Sequence, residues 1–260
     1  MSDKKEKFAS FGIATKGAVY LIIGVLTAMA AFGAGGQKSG SGTVLEFLQE
    51  QSYGNVLLVL LAIGLLGYVF YRWSQAFGNI TNVDDDTKGY VKRIAYFISG
   101  VLYGAFAYSA INIVIGSGSS SSSGSLSKML FSSESAAIFA IIIGLALVGK
   151  GIYEFYQAYS GKFKDEVQGA SIPHKAQSLL MRAGKIGYTA RGIVAGILGY
   201  LFLKAGFAGN AQKLSKTDAF SYIQDEFGTV VMGLVAIGLA AYGVFKIIEA
   251  KYSSVTIRNA

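Results

Sequence analysis

Long apolar runs separated by short polar stretches dominate this chain. Residues 17–36 contain no charged side chain, and a helix of that length spans about 30 Å, the thickness of the hydrocarbon core of a bilayer. Five further runs of similar character follow. The pattern predicts six transmembrane helices, at about residues 17–36, 54–71, 94–115, 135–153, 186–203 and 227–245.

The runs repeat one another. A shift of 174 residues places the second run on the sixth, with matches at Gly54 and Gly228, Ala62 and Ala236, Gly64 and Gly238, and Tyr68 and Tyr242. A shift of 175 places the first on the fifth, with matches at Gly12 and Gly187, Lys16 and Arg191, Gly17 and Gly192, and Gly24 and Gly199. The middle pair of runs matches more weakly, through Gly149, Tyr153 and Gln157. We therefore predict three tandem two-helix units.

A short amphipathic stretch lies between the two helices of each unit. In the first, Thr43 and Glu46 have the spacing of a capping box. In the second, Leu126, Met129 and Leu130 follow a flexible Ser/Gly spacer at 116–125, and in the third the apolar positions are Phe220 and Ile223. Each unit is therefore predicted as span, short outer amphipathic helix, span.

These elements predict an all-α membrane protein that forms a single domain, 1–260, with repeats at about 8–80, 90–163 and 178–253. Every unit enters and leaves the membrane on the same side. The three hairpins should therefore be related by a quasi-threefold axis normal to the membrane.

Composition agrees with a membrane class. The chain is 52% hydrophobic and only 15% charged, with 34 glycines. It has no cysteine and one histidine, His174, so we expect neither a metal site nor a cofactor. Because no nucleophile and base can be placed together, we also expect it not to be an enzyme.

Lysine and arginine are distributed unequally between the two sides. With both termini on one side, 18 of the 23 cations lie there, together with 9 of the 15 acids. The positive-inside bias then predicts a multi-pass protein of the bacterial cytoplasmic (inner) membrane with both termini in the cytoplasm. We expect the basic face to contact anionic lipid headgroups. The cations lie at helix ends and not in a separate module, which argues against nucleic-acid binding.

Charged residues inside the spans are the candidate functional groups. Arg72, Glu154 and Lys246 occupy one repeat-equivalent position near the cytoplasmic end, and Lys16 and Arg191 share another. Lys150 lies deeper, four residues before Glu154, which allows an ion pair on one helix face. These six residues form either a structural charge lock or a polar axis, with snorkelling towards the headgroups as the simplest account of Lys150 and Arg191.

Four tyrosines lie near these charges. They either line an aromatic chamber for a lipid or quinone, or pack in the interior with hydroxyl partners, and the second interpretation is favoured. The residues are Tyr20, Tyr68, Tyr103 and Tyr242.

The repeated segments resemble a known family. GYTARGIVAGILGY at 187–200, AIGLLGYVFYRWSQA at 62–76 and GKGIYEFYQAYSGKF at 149–163 are similar to the bacterial membrane family catalogued as domain of unknown function 1206. The resemblance covers nearly the whole chain and implies six spans in three repeats. It implies no catalytic motif or ligand site.

Two functions stay open from the sequence. The favoured one is a non-enzymatic structural or interaction module that binds lipid or a membrane protein partner. The alternative is a small transporter or channel whose pathway follows the threefold axis past the charged residues. A charged cavity continuous with the cytoplasm would favour the second, and an axis sealed by glycine contacts and tyrosine rings would favour the first.

Overall fold

The structure, a computed structural model, describes residues 2–77, 87–116, 136–167, 174–208 and 216–252. Within these ranges the chain forms seven α-helices and one 3₁₀ helix, with no β-strand. The α-helices are α1 (Ser2–Ala31), α2 (Ser41–Gln49), α3 (Gly54–Phe77), α4 (Thr87–Val114), α5 (Ala136–Ser160), α6 (His174–Phe207) and α7 (Lys216–Tyr252). The 3₁₀ helix, Lys162–Val167, follows α5.

Six of these helices are long and apolar enough to cross a membrane, as the hydropathy pattern predicted. The candidate spans are Lys7–Ala31, Gly54–Phe77, Lys92–Val114, Ala136–Ser160, Leu180–Phe207 and Lys216–Tyr252. Large apolar side chains cover their outer surfaces, for example Leu60, Leu102 and Ile152. In water such a surface would drive aggregation, whereas in lipid it is the solvated face.

Short helical segments precede the second span of the first unit and of the third unit. In the first unit, α2 buries Val44 and Leu45. In the third unit the outer helix is the first part of α7, and the backbone turns at Gly228 (φ 83°), a conformation that glycine adopts readily, before the span continues. The corresponding stretch of the second unit and residues 117–125 of the Ser/Gly spacer lie outside the described residues.

The predicted cap of α2 was wrong. Gly40 is the N-cap, and its backbone N–H donates to Thr43 Oγ1 at 3.3 Å, so that Thr43 lies in the first turn of the helix. Thr43 is therefore the third residue of the helix, where it accepts the hydrogen bond of the cap residue and is not the cap itself. The spacing identified the helix and misplaced its first residue.

The spans pack mainly against spans of the neighbouring unit. α3 packs on α4, α5 packs on α6, and α7 packs on α1. Within units, α1 packs on α3 and α6 packs on α7, whereas α4 and α5 make at most marginal contact along their described lengths. α4 and α5 are also the least buried of the six spans. A seam between them therefore interrupts an otherwise continuous circuit of helices.

Small residues allow the helices to approach closely at the same repeat positions. A Cβ added to Gly17 would lie 2.8 Å from the carbonyl oxygen of Gly243, where α1 meets α7. A Cβ added to Gly192 would lie 3.2 Å from the carbonyl oxygen of Gly151, where α6 meets α5. Backbones this close gain van der Waals contact, the principal attraction between helices in lipid.

Two glycines offer a matched test of this packing. At Gly187 an added Cβ would lie 2.6 Å from Tyr242 Cα, whereas at Gly149 it would meet nothing within 4 Å. Gly187→Ala should lower the unfolding free energy by about 1–3 kcal/mol through overpacking. Gly149→Ala should be neutral or slightly stabilising. Thermal melting in detergent measures both, and equal melting temperatures would contradict the assigned packing.

Candidate functional site

A layer of tyrosine rings lies in the middle of the bundle. Tyr20 on α1 contacts Tyr242 on α7 edge to face, with ring centroids 5.0 Å apart. Tyr68 on α3 contacts Tyr103 on α4 in the same way, at 4.7 Å. Tyr103 is half-buried and the other three are buried. The structure therefore brings the four predicted tyrosines together as two pairs, contributed by four different spans.

Lys16 places its charge among these rings. Its Nζ donates a hydrogen bond to Tyr68 Oη at 2.9 Å and lies 4.8 Å from the centroid of the same ring. The rings of Tyr103 and Tyr242 are within 6 Å as well. Only 5% of Lys16 is exposed, so the ring faces replace water around the ammonium group.

Arg72, one turn further along α3, reaches the same hydroxyl. Its Nε donates to Tyr68 Oη at 2.7 Å, and its Nη1 donates to Gln75 Oε1 at 2.7 Å. Gln75 in turn donates to Tyr71 Oη at 3.0 Å. Tyr68 thus accepts from two cations, Lys16 and Arg72, and links the two predicted charge positions.

Arg191 and Glu154 form an ion pair between α6 and α5. The distance from Arg191 Nη2 to Glu154 Oε1 is 2.7 Å, and both side chains are largely buried. The guanidinium carbon lies 4.2 Å from the ring centroid of Tyr242 and 5.3 Å from that of Tyr20. The pair joins two units and is packed against the tyrosine layer.

Lys150 does not form the ion pair with Glu154 that its spacing allowed. Glu154 binds Arg191 instead, because α5 and α6 approach closely one turn away at Gly151 and Gly192. Lys150 is exposed and makes no hydrogen bond or salt bridge within the described residues. The groups that act electrostatically on its charge are Arg191, Tyr20, Glu154 and Lys216.

Arg72, Glu154 and Lys246, which share one repeat-equivalent position, each bind a different group. Lys246 Nζ lies 2.7 Å from Glu249 Oε2 on its own helix, and both residues are buried. Each of the three charges therefore has a separate partner. The three side chains lie at equivalent positions along their spans, but each binds a group that is closer to it: Tyr68, Arg191 and Glu249 respectively.

Sequence reasoning missed Glu249, although the repeat contains a signal for it. Glu249 is the third-unit equivalent of Gln75 and Gln157, each of which donates to a tyrosine four residues earlier. In the third unit that tyrosine is replaced by Phe245, and Glu249 accepts from Lys246 instead. Lys216 was also missed, because its position in the outer helix gave no reason to expect its Nζ 4.2 Å from the Tyr20 ring centroid.

An apolar pocket of about 420 Å³ lies on the outer half of the bundle, between α6 and the outer part of α7. Ile197, Ile223, Phe227 and Val235 are among its walls, and Gly196 leaves it space. No group of three histidine, aspartate or glutamate side chains able to hold a metal occurs among the residues that the structure describes.

Comparisons with known proteins agree with the three-unit organisation. A family model described as a Domain of Unknown Function (DUF1206) matches residues 11–78, 94–161 and 186–253, one match within each predicted repeat. The chain is 26% identical to the uncharacterized protein YxxB of Bacillus subtilis (strain 168), over 96% of this chain and 92% of the relative. No solved structure matches. The family resemblance expected from the sequence is confirmed.

Glu154 and Glu249 provide a matched pair for testing the ion pairs. Glu154→Gln breaks an ion pair that joins α5 to α6 and leaves Arg191 without its counter-charge, whereas Glu249→Gln breaks an i,i+3 pair within α7. We expect Glu154→Gln to lower stability by on the order of 3 kcal/mol, and Glu249→Gln to cost less.

Thermal melting in detergent makes this comparison. The double variant Glu154→Gln, Arg191→Gln should recover part of the loss, since it leaves no unpaired buried charge. Equal losses of stability in the two single variants would show that the Arg191–Glu154 pair stabilises the protein no more than the Lys246–Glu249 pair does.

Proposed function

The chain belongs to the family described as a Domain of Unknown Function (DUF1206), and within that family we propose that it acts as a non-enzymatic integral membrane module that binds lipid. The observation that carries the proposal is the mutual engagement of its buried charges. Lys16 and Arg72 donate to Tyr68, Arg191 pairs with Glu154, and Lys246 pairs with Glu249.

Such engagement favours a protein without a pathway for ions through it, which we call a closed body, over a channel or transporter. An unpaired charge near the bilayer centre costs about 2.5–3.5 kcal/mol, and each of these pairings offsets part of that cost. A pathway needs charges that exchange partners with a passing ion, whereas Lys16, Glu154 and Lys246 are each at most 5% exposed. The rings of Tyr68 and Tyr242 fill the space between them.

Lipid is the favoured ligand because the available space is apolar and faces the bilayer. The pocket beside Gly196 has apolar walls, and Phe227 and Val231 on its rim are exposed on the membrane-facing surface. Tyr200 and Tyr222 are the lining residues that carry hydroxyl groups. An acyl chain matches this combination, and the bilayer supplies acyl chains at high local concentration.

We propose further that the three hairpins, each with an outer amphipathic helix, are related by a quasi-threefold axis along the membrane normal. The recurrence of glycine contacts at equivalent positions supports it, since Gly17 meets Gly243 as Gly192 meets Gly151. The contact of Gly187 with Tyr242 is likewise the counterpart of that of Gly12 with Tyr68. Hairpins that superpose only by rotations far from about 120° in an experimental structure would contradict this arrangement.

The charge distribution supports a location in the bacterial cytoplasmic (inner) membrane with both termini inside. The chain lacks cysteine, so single cysteines report sidedness cleanly. A membrane-impermeant maleimide should label Tyr53→Cys in intact cells, and should label Lys251→Cys only after permeabilisation, because exposed thiols react only with a reagent that reaches their side. The reverse pattern would overturn the orientation.

Flux through the purified protein tests the closed body. Proteoliposomes containing the wild type should pass protons, chloride and phosphate no faster than protein-free liposomes, because Lys16, Glu154 and Lys246 are buried and bound to partners within the protein. Addition of an ionophore controls for vesicle integrity. Protein-dependent flux that disappears in Lys150→Met would instead establish the transporter or channel, for which the exposed ammonium of Lys150 is the specific supporting feature.

A further inference from the structure

We propose that Lys150, Lys216 and Arg191 form a binding site for a phosphate group around Tyr20, open to the seam between α4 and α5. The site deepens the proposed function, because it names the chemistry of the lipid that the module would hold. The identification of a phospholipid as the source of the phosphate rests on the proposed function, whereas the phosphate site itself is argued from its own residues.

The first observation is an excess of positive charge around the buried ring of Tyr20. Arg191 and Lys216 both face the ring of Tyr20, with the guanidinium carbon 5.3 Å and Nζ 4.2 Å from its centroid. Lys150 and Lys16 are the other cations that act electrostatically on this tyrosine. Among the residues that the structure describes, Glu154 is the acid that pairs with one of these four cations, and it is bound to Arg191. A tyrosine ring attracts a cation by about 0.5–2 kcal/mol, which does not neutralise the charges of Lys150 and Lys216.

The position of Tyr20 makes this imbalance costly. Tyr20 lies 13 residues into the 25-residue span Lys7–Ala31, at its midpoint. Each uncompensated cation near the bilayer centre costs about 2.5–3.5 kcal/mol on insertion scales. An anion among the cations removes that cost. The electrostatics of the layer therefore select a negatively charged ligand.

The second observation is an unsatisfied hydroxyl group in the same cluster. Tyr242 Oη is buried and has no hydrogen-bond partner among the described residues; Glu154 Oε2 is unpartnered as well, but a carboxylate oxygen is not satisfied by an anion. The Tyr242 ring lies directly beneath the Arg191 guanidinium, at 4.2 Å. A buried hydroxyl without a partner costs about 1–3 kcal/mol, and a phosphate oxygen would accept its proton in a hydrogen bond.

The third observation is access. Lys150 is exposed although it lies one turn from the buried Glu154, and its helix α5 borders the seam. Along their described lengths α4 and α5 do not close against each other as the other neighbouring spans do. Lys16 and Tyr68, which are hydrogen-bonded to each other, are both buried. We therefore assign the entry of the phosphate to the side of the exposed Lys150.

A phosphate suits these donors better than a smaller anion. Two lysines on different helices and one arginine offer donors from several directions, and Arg191 has already committed one nitrogen to Glu154. A tetrahedral phosphate accepts through several oxygens at once, and lysine binds it as a point charge. In the bilayer a phospholipid headgroup supplies it, and in solution inorganic phosphate does.

Binding of three probes to the purified full chain in neutral detergent tests the site. The probes are a short-chain phosphatidylglycerol, the corresponding diacylglycerol without phosphate, and inorganic phosphate. Native mass spectrometry measures the two lipids, and isothermal titration measures inorganic phosphate. The wild type should bind phosphatidylglycerol at least about 10-fold more tightly than the diacylglycerol, as expected for charge-assisted hydrogen bonds.

Charge variants locate the effect. Lys150→Met and Lys216→Met should abolish the preference for the phosphate-bearing lipid. Lys150→Arg should keep it, which separates loss of charge from loss of fold. Lys204→Met is the matched control, because Lys204 is an exposed cation at the outer end of α6, and it should behave as wild type.

The outcomes are decisive in each direction. Inorganic phosphate that displaces the lipid, with the same dependence on Lys150, supports the site and identifies phosphate alone as sufficient. Preferential binding of phosphatidylglycerol without binding of inorganic phosphate supports the site and identifies the phospholipid as the source of the phosphate group. Equal affinities for the two lipids together with no phosphate binding, or an equal effect of Lys204→Met, overturn it. The flux experiment is independent, so failure here leaves the closed body standing.

Discussion

The structure depends on one constraint: a charged side chain within the hydrocarbon region must find its partner inside the protein. Arg191 meets this constraint across a helix interface, with Glu154 at 2.7 Å and the faces of Tyr242 and Tyr20 on its other sides. Lys16 meets it through Tyr68. Because the partners come from different spans, satisfying the charges also fixes how the spans are arranged.

Close backbone approach makes those pairings possible. Lipid tails are as apolar as leucine, so the helices gain little from burying apolar side chains against one another. They gain instead where glycine lets two backbones touch, as Gly151 and Gly192 do one turn from the Arg191–Glu154 pair. The glycine contacts set the distance between helices, and the ion pair then selects their rotation and register.

The sequence predicted the features that depend on position along a helix, such as the spans. It did not predict side-chain partners, which depend on how each helix is rotated about its axis. Length and hydropathy located the six candidate spans, and the repeat brought Tyr68 and Tyr242 into one layer. The partner of Glu154 was beyond the sequence, because spacing along α5 favours Lys150 whereas the approach of α6 brings Arg191 closer. Lys216 was hidden for the same reason, since the fold of an outer helix decides where its side chain points.

One difference among the repeats coincides with the seam between α4 and α5. Where the first and third units carry Tyr68 and Tyr242, the middle unit carries Lys150, so a third ring is missing from the layer. The middle unit is also the one whose two spans fail to pack together. A tyrosine at this position would fill the interior, whereas a lysine adds charge and leaves room. The substitution that weakens the repeat in the sequence therefore coincides with the opening in the structure, and places the exposed cation beside it.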